Sequence, residues 1–346
     1  MNATRFKRLR WLLACTMVFM TLFTGTAWAA DSGGHSAQNE EKEFNAKETI
    51  FHHILDAHEW HFFDGPYGTL YLPVIVYSKD KGLEVFSSSN FYNDQHEEVA
   101  YNGYEIEHGH ITLEGKPVLD LSITKNVASM LLSVVLLLAV FLSISKGYKT
   151  KDGKVKAPKG LVSFLEPLIL FVRDDIVVPN IGEKDADRFM NYHLTLFFFI
   201  LFNNLLGLLP GAANLTGNIA VTVTLAVFTF IVTTISAKKP YWSHIFNPPV
   251  PLALKPMMIP IEFIGIFTKP FALTVRLFAN ITAGHIMILV LISFAFIFKS
   301  VTVGVVSSSI ATMMMLLEIL VAFIQAYVFA LLSAIFIGIA MEEAHH

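Results

Sequence analysis

Five stretches of this chain are apolar over roughly the 20 residues that a helix needs to cross a bilayer. They cover 127–144, 192–209, 218–235, 259–298 and 305–340. Lipid offers no hydrogen-bond partners, so each crossing segment must satisfy its own backbone, and an α-helix does so. Composition agrees: 54% of the 346 residues are hydrophobic, 15% are charged, and mean hydropathy is +0.55. A soluble globule of this length carries more charge. The fold expected is an all-α polytopic membrane protein with five transmembrane helices and a smaller polar segment attached. A net charge of −3 and the lack of a basic patch interleaved with aromatics argue against nucleic acid. Cys15 is the only cysteine, so no intramolecular disulfide is possible.

The N-terminus has its own grammar. Arg5, Lys7, Arg8 and Arg10 precede a short apolar core at 11–24, and Ala27-Trp28-Ala29 forms a small-residue cleavage signature. That pattern predicts a signal peptide over 1–29. Cys15 reads as a small apolar residue of that core rather than a lipid-modified one. Residues 30–45 are small and polar and predict disorder.

An exported segment follows, 30–122, before the membrane domain at 123–346. Residues 70–77 are rich in strand formers, and 83–86 and 110–113 alternate with period two. Turn residues stand at 79–82 and 114–117. A small β-containing unit is expected. His52, His53, His58 and His61 cluster with Asp56 and Glu59, but without the spacing of a full zinc or copper site. They read as a solvated histidine-rich surface, with no metal and no cofactor.

Orientation comes from charge. The first span is followed by Lys146, Lys149, Lys151, Lys154, Lys156 and Lys159, and the third by Lys238 and Lys239. By the positive-inside rule both loops are cytoplasmic. Residues 161–178 hold Glu166, Arg173, Asp174 and Asp175 among apolar residues, too many charges for a span. An amphipathic helix at the cytoplasmic interface fits. Residues 247–256 predict a proline-broken connection. The last two segments are longer than an upright helix needs and predict a tilted hairpin, interrupted at Pro270 and turning at 299–304. The N-terminal segment is then outside and the C-terminus cytoplasmic.

Polar residues inside that hairpin are few: Glu262, Lys269, Arg276, Asn280, His285, Glu318, Gln325 and Tyr327. Arg276 stands in the apolar run 271–292, where a permanent cation costs about 3 kcal/mol or more to insert. Such a charge implies a partner or a task. Arg276 and Asn280 are four apart and share a helix face; Glu318 and Gln325, seven apart, share another. His285 lies nine residues beyond Arg276, on the opposite side and roughly 13 Å along the axis. Glu318 on the antiparallel helix can meet His285 at similar depth, and a Glu–His pair with access to water is a proton relay by composition. A salt bridge from Arg276 to Glu262, fourteen residues away, is the purely structural reading.

Residues 273–285, Leu-Thr-Val-Arg276-Leu-Phe-Ala-Asn280-Ile-Thr-Ala-Gly284-His285, resemble the arginine motif of subunit a of F-type ATP synthases. Residues 320–329 resemble that family's last helix, and Asn204-Leu-Leu-Gly207-Leu-Leu-Pro210 and Thr216-Gly-Asn218 its middle spans. The match extends over about 120–346. The resemblance implies a bacterial inner-membrane stator subunit with no catalytic site of its own. Its partners would be the c-subunit ring, the b-subunit peripheral stalk, the rest of the ATP synthase complex and the bilayer. Protons would reach a mid-membrane carboxylate on each c subunit through one aqueous half-channel and leave by another. Arg276 would stand between the two, favouring the deprotonated carboxylate and blocking a leak. Asn280, His285, Glu318 and Gln325 would line the exported half-channel, and Glu262 the cytoplasmic one. Two departures stand out. The acid and imidazole are exchanged relative to many bacterial members, and Gly207 replaces an Asp found in some. The rival readings are a self-contained proton-coupled secondary transporter and a purely structural scaffold.

Overall fold

The computed structural model describes residues 56–61, 68–93, 98–107, 109–148, 160–209 and 213–342. The signal peptide read at 1–29, the segment 30–45, His52, His53 and most of the basic loop lie outside the described residues.

The first part is built of short strands. β1 (Glu59–His61) pairs with β2 (Thr69–Tyr71). β3 (Pro73–Ser78) lies between β4 (Gly82–Ser87) and a late strand, β8 (Leu119–Asp120). β5 (Tyr104–Glu107), β6 (His110–Leu113) and β7 (Lys116–Pro117) form a third antiparallel sheet. Period-two alternation decides the faces. Val74, Val76 and Ser78 of β3 are buried, and the two valines pack with Phe91, Tyr104, Ile111 and Leu113 into a small core. Tyr104 is fully enclosed, and its hydroxyl donates to Glu84 at 2.6 Å. Gly82 closes the β3–β4 hairpin at φ 77°, in left-handed space that favours glycine.

Five helices among the described residues are long and apolar enough to cross a membrane. They are α1 (Lys125–Tyr148), α4 (Glu183–Gly207), α5 (Ile219–Ser236), α7 (Lys255–Phe298) and α8 (Val301–Met341). Between α1 and α4 the chain forms α2 (Leu161–Phe171), a wide π turn (Val172–Val177) and the short α3 (Val178–Ile181). Here Arg173, Asp174 and Asp175 are exposed while Val172, Ile176 and Val177 are fully buried, the amphipathic pattern that the sequence predicts.

Two local expectations are corrected. Helix α7 runs through Pro260 and Pro270 without a break. A proline inside a helix removes the one bond to the carbonyl four residues back, and within a 44-residue helix the loss of two such bonds does not end it. Nearby, Thr268 donates to the Ile264 and Gly265 carbonyls, and Thr274 to that of Pro270. The hairpin turn is only Lys299 and Ser300, with Lys299 left-handed at φ 45°. The proline-broken connection is non-helical from 247 to 254, and ahead of it stands a short helix, α6 (Lys239–Phe246), with Pro240 in its first turn, where no backbone donor is lost.

Helix α8 is the hub, packing on α7, α4 and α5. Its buried stripe is rich in small residues: Ser307, Ala311, Ala322, Ala326, Ala330, Ser333, Ala334 and Ala340. Without a hydrophobic drive between helices in lipid, close van der Waals approach through such residues holds a bundle together. At Gly338 the approach is closest: the backbone carbonyl of Asn180 occupies the place that a β-carbon would need. At 44 and 41 residues, α7 and α8 measure about 60–66 Å, twice the hydrocarbon thickness.

Candidate functional site

Three contacts set the register of the α7–α8 hairpin. Ala295 packs near Gly304, Glu318 lies against Gly284, and the Lys269 ammonium sits 5.4 Å from the Phe336 ring. Interpolating between the last two puts Arg276 near the level of Tyr327, within one turn of Gln325.

At that level the two helices present opposite characters. Arg276 and Asn280 are exposed on a face of α7 that this chain leaves uncovered. Ala272, Val275, Ala279 and Ala283 surround them, also exposed. Their small size leaves room for a foreign helix to come close to the guanidinium. Glu318 and Gln325, by contrast, are turned inward and only 5% and 6% exposed. The salt bridge to Glu262 is not made: among the described residues Arg276 has no ion-pair partner. Sharing a face is not enough, because fourteen residues of unbroken helix separate the two by about 21 Å.

Glu318 has a distinctive seat. Its carboxylate fills the space where a side chain at position 284 would begin. Gly284 therefore exists to admit this acid, which brings it to the level of His285, itself half-buried. One carboxylate oxygen, Oε1, is enclosed without a hydrogen-bond partner among the described residues. A buried polar atom in that state costs roughly 1–3 kcal/mol, so its persistence calls for a use.

The surroundings of Glu318 hold polar groups that sequence reasoning did not assign. Asn204 of α4 donates to the Ala322 carbonyl at 3.1 Å, one turn from Glu318, and leaves its own Oδ1 unpartnered. Asn203 Oδ1 and Thr216 Oγ1 are likewise buried and unpartnered among the described residues. Thr282, two residues before Gly284, donates to the Gly217 carbonyl at 3.4 Å. At Gly207, where an Asp stands in some members of the family that this chain resembles, a β-carbon would lie 3.4 Å from Asn214 Oδ1. An amide seven residues onward thus supplies polarity beside the position that lacks a carboxylate. Asn204 stands in a quoted motif, yet its reach to the turn of α8 next to Glu318 depends on which helices meet.

A second polar region lies towards the other end of the bundle. Thr229, Thr233, Thr234, Tyr241 and Lys269 line a cavity between α5, α6, α7 and α8. Glu262 is half-buried and within electrostatic reach of Lys269 and Tyr241. Burial, aided by that carboxylate, pushes the Tyr241 phenol up. Tyr192 shares a 2.8 Å hydrogen bond with Thr229. Next to it, His193 is fully buried; its Nδ1 donates to the Phe189 carbonyl at 2.9 Å and its Nε2 has no partner among the described residues. The sequence offered no signal for His193 beyond a lone imidazole in an apolar helix.

In the strand-rich part the solvated histidine surface is corrected. His58 is 3% exposed and bonds Asp120 at 3.0 Å, Glu59 is buried, and His61 bonds the Thr69 hydroxyl at 2.7 Å. Among the described residues no group of three metal-ligating side chains converges.

Residues 127–338 match the family described as ATP synthase A chain, and residues 49–127 match a domain of unknown function (DUF8433). Among curated relatives, the ATP synthase subunit a of Chloroherpeton thalassium is 41% identical over 305 residues, 87% of this chain and 78% of that protein. That of Chlorobium phaeobacteroides is 42% identical over 328 residues, covering 93% and 81%. That of Anaeromyxobacter sp. strain Fw109-5 is 48% identical over 236 residues, covering 66% and 56%. With its membrane helices matched from the first span through the last, this chain belongs to the ATP synthase A chain family.

Proposed function

We propose that this chain is the proton-translocating stator subunit of an ATP synthase, a non-catalytic component through which proton flow is coupled to rotation of a c-subunit ring. The observation that carries the reading is the split of charge across the last hairpin. Arg276 faces out of the chain on a small-residue surface, and Glu318 and Gln325 face in. An outward guanidinium with no partner of its own is suited to a carboxylate that arrives on another subunit and departs again. It favours the deprotonated acid as that acid passes, and its fixed positive charge repels a proton crossing directly from one half-channel to the other.

Glu318, His285, Asn280 and Gln325 serve the exported half-channel, supported by Asn204, which bonds the Ala322 carbonyl one turn from Glu318. The unmet hydrogen-bond capacity of this cluster suits a path filled by water. Glu262, with Lys269 and the threonine-lined cavity, serves the cytoplasmic side. The protein lies in the bacterial inner membrane with its strand-rich segment periplasmic and its C-terminus cytoplasmic. The α7–α8 hairpin tilts, α2 and α3 lie at the cytoplasmic interface, and the b-subunit peripheral stalk is a further partner. A self-contained secondary transporter is not favoured, because its essential cation would face a cavity within its own chain.

The test is Arg276→Ala in membranes where the complex still assembles. Proton-driven ATP synthesis is expected to vanish, and normal synthesis in that variant would refute the reading.

A further inference from the structure

The β4–β3–β8 sheet has two apolar faces, and among the described residues only one of them is covered. Val74 and Val76 point into the small core. On the other face the register aligns Leu83, Tyr77 and Leu119 in one row across the three strands. In the next row Val85 pairs with Ile75, and Leu121 donates its N–H to the Ile75 carbonyl at 2.9 Å. All six side chains are apolar or aromatic. Five of them are 48–64% exposed, and Ile75, at their centre, is half-buried. The charged residues nearest in sequence, Glu84 and Asp120, turn to the opposite face, where Glu84 accepts from Tyr104 and Asp120 bonds His58. A contiguous apolar patch of this kind marks an interaction surface rather than ordinary exposure.

The position of the sheet says what covers it. Leu121 is four residues from Lys125, the first residue of α1, so the patch runs directly into the surface that enters lipid. Three bonds fasten the strand-rich part to that point: Ile123 N–H donates to the carbonyl of Pro73 in β3 at 3.1 Å, Lys125 N–H to the Ala57 carbonyl at 2.8 Å, and Asn126 N–H to the side chain of Asp56, at Oδ1, at 3.0 Å. Asp56 Oδ1 also accepts from Ala57 N–H at 3.0 Å, which rigidifies the clasp. The domain is therefore held at the membrane boundary and cannot swing away on a free linker. Exposed apolar residues on the first two turns and beyond, Leu131, Leu132 and Val135, carry the same character into the bilayer.

We propose that this face is a membrane-contact surface, seated in the boundary between headgroups and acyl chains of the leaflet from which α1 enters. Tyr77 lies where an amphipathic ring is favoured, at the water–lipid interface. Shallow insertion of roughly 5–10 Å is what such an apolar face achieves. The contact would fix the orientation of the strand-rich domain above the bundle. It gives a role to the region whose family match, over residues 49–127, is a domain of unknown function, and it does not depend on the proton-pathway assignment.

The experiment uses the full chain in its assembled complex, reconstituted into vesicles of phosphatidylcholine with a minor share of phosphatidylglycerol. Cys15, the single native cysteine, is replaced by Ser. Nitroxide labels are placed through Leu83→Cys, Val85→Cys and Leu119→Cys, with Lys116→Cys on the neighbouring sheet as the reference. Collision with dissolved oxygen, which partitions into lipid, is compared with collision with a water-soluble nickel chelate. The proposal expects the oxygen-to-nickel ratio at the three patch positions to exceed that at position 116 severalfold. A ratio equal to that at 116 would put the face in water and overturn it. Protection from both reagents would mean a protein covers the face, and would overturn it equally.

Discussion

The strand-rich segment and the last helical hairpin each bury a carboxylate, and they treat it in opposite ways. Asp120 is held by its neighbours: His58 at 3.0 Å and the Ser122 N–H at 2.9 Å. Glu318 is seated by the absence of a side chain at Gly284 and keeps one oxygen without a protein partner. The first arrangement spends polarity on rigidity. The second leaves hydrogen-bond capacity open inside a membrane helix, where it is most costly. A buried acid whose needs are met is part of the scaffold, and one whose needs are unmet belongs to a working path. Glu59 blurs the contrast, since its Oε2 is also enclosed and unpartnered among the described residues.

The contrast can be broken most directly at Glu318. Glu318→Gln should lower proton flux through the complex on the order of a hundredfold, the scale of a lost acid–base group, while assembly stays intact. Flux measured by pH-sensitive dye in vesicles checks this, and near-normal flux would put Glu318 with Asp120 as scaffold. Gly284→Leu should be nearly as severe, because its side chain must displace the Glu318 carboxylate. Overpacking of this kind costs about 1–3 kcal/mol, so both thermal stability of the complex and flux should fall together.

His58→Ala should act only on the other side of the comparison. It leaves Asp120 half-buried without its main donor, at a cost of about 1–3 kcal/mol. Proteolysis of the strand-rich segment should speed up, with proton flux per assembled complex unchanged. Acid titration sharpens the same point. Burial by itself would raise Asp120, but the hydrogen bonds from His58 and Ser122 outweigh it and hold the carboxyl at about 2, below its ordinary 3.8. A depressed acid adds stability that is complete above its unfolded value and is lost as pH falls through the folded one. The segment should therefore keep this contribution down to about pH 4 and lose it between 4 and 2, a loss absent in Asp120→Asn. Circular dichroism against pH would show it. The smallest effect is expected at Asn214, whose side chain caps the turn Leu215–Gly217 by accepting from Gly217 N–H at 3.1 Å. Asn214→Ala should cost roughly 1 kcal/mol, read as a lower unfolding temperature.

Much of the helical part was legible because lipid imposes one requirement on every span. The long apolar runs, the amphipathic 161–178 and the alternating strands follow from periodicity alone. Pro270 misled because proline is a breaker in water, whereas here threonine hydroxyls accompany it within one helix. His58 misled because a histidine beside acids reads as solvated until Asp120, 62 residues away, closes over it. Of the candidate site, Arg276 was conspicuous as a charge in an apolar run, and the face it shares with Asn280 followed from helical phase; that this face turns outward did not.

What the sequence by itself determined is therefore the set of helices, their order, and the outlier that a membrane would not tolerate without purpose. Helical hydrogen bonding and apolar transfer are local, so the local sequence suffices for them. Only the tertiary structure decided that Glu318 rests on Gly284, that Asn204 bonds the next turn of the Glu318 helix, and that Asn214 stands beside Gly207. Those are meetings between residues distant in the chain, and they depend on how small side chains along α8 let neighbouring backbones close in.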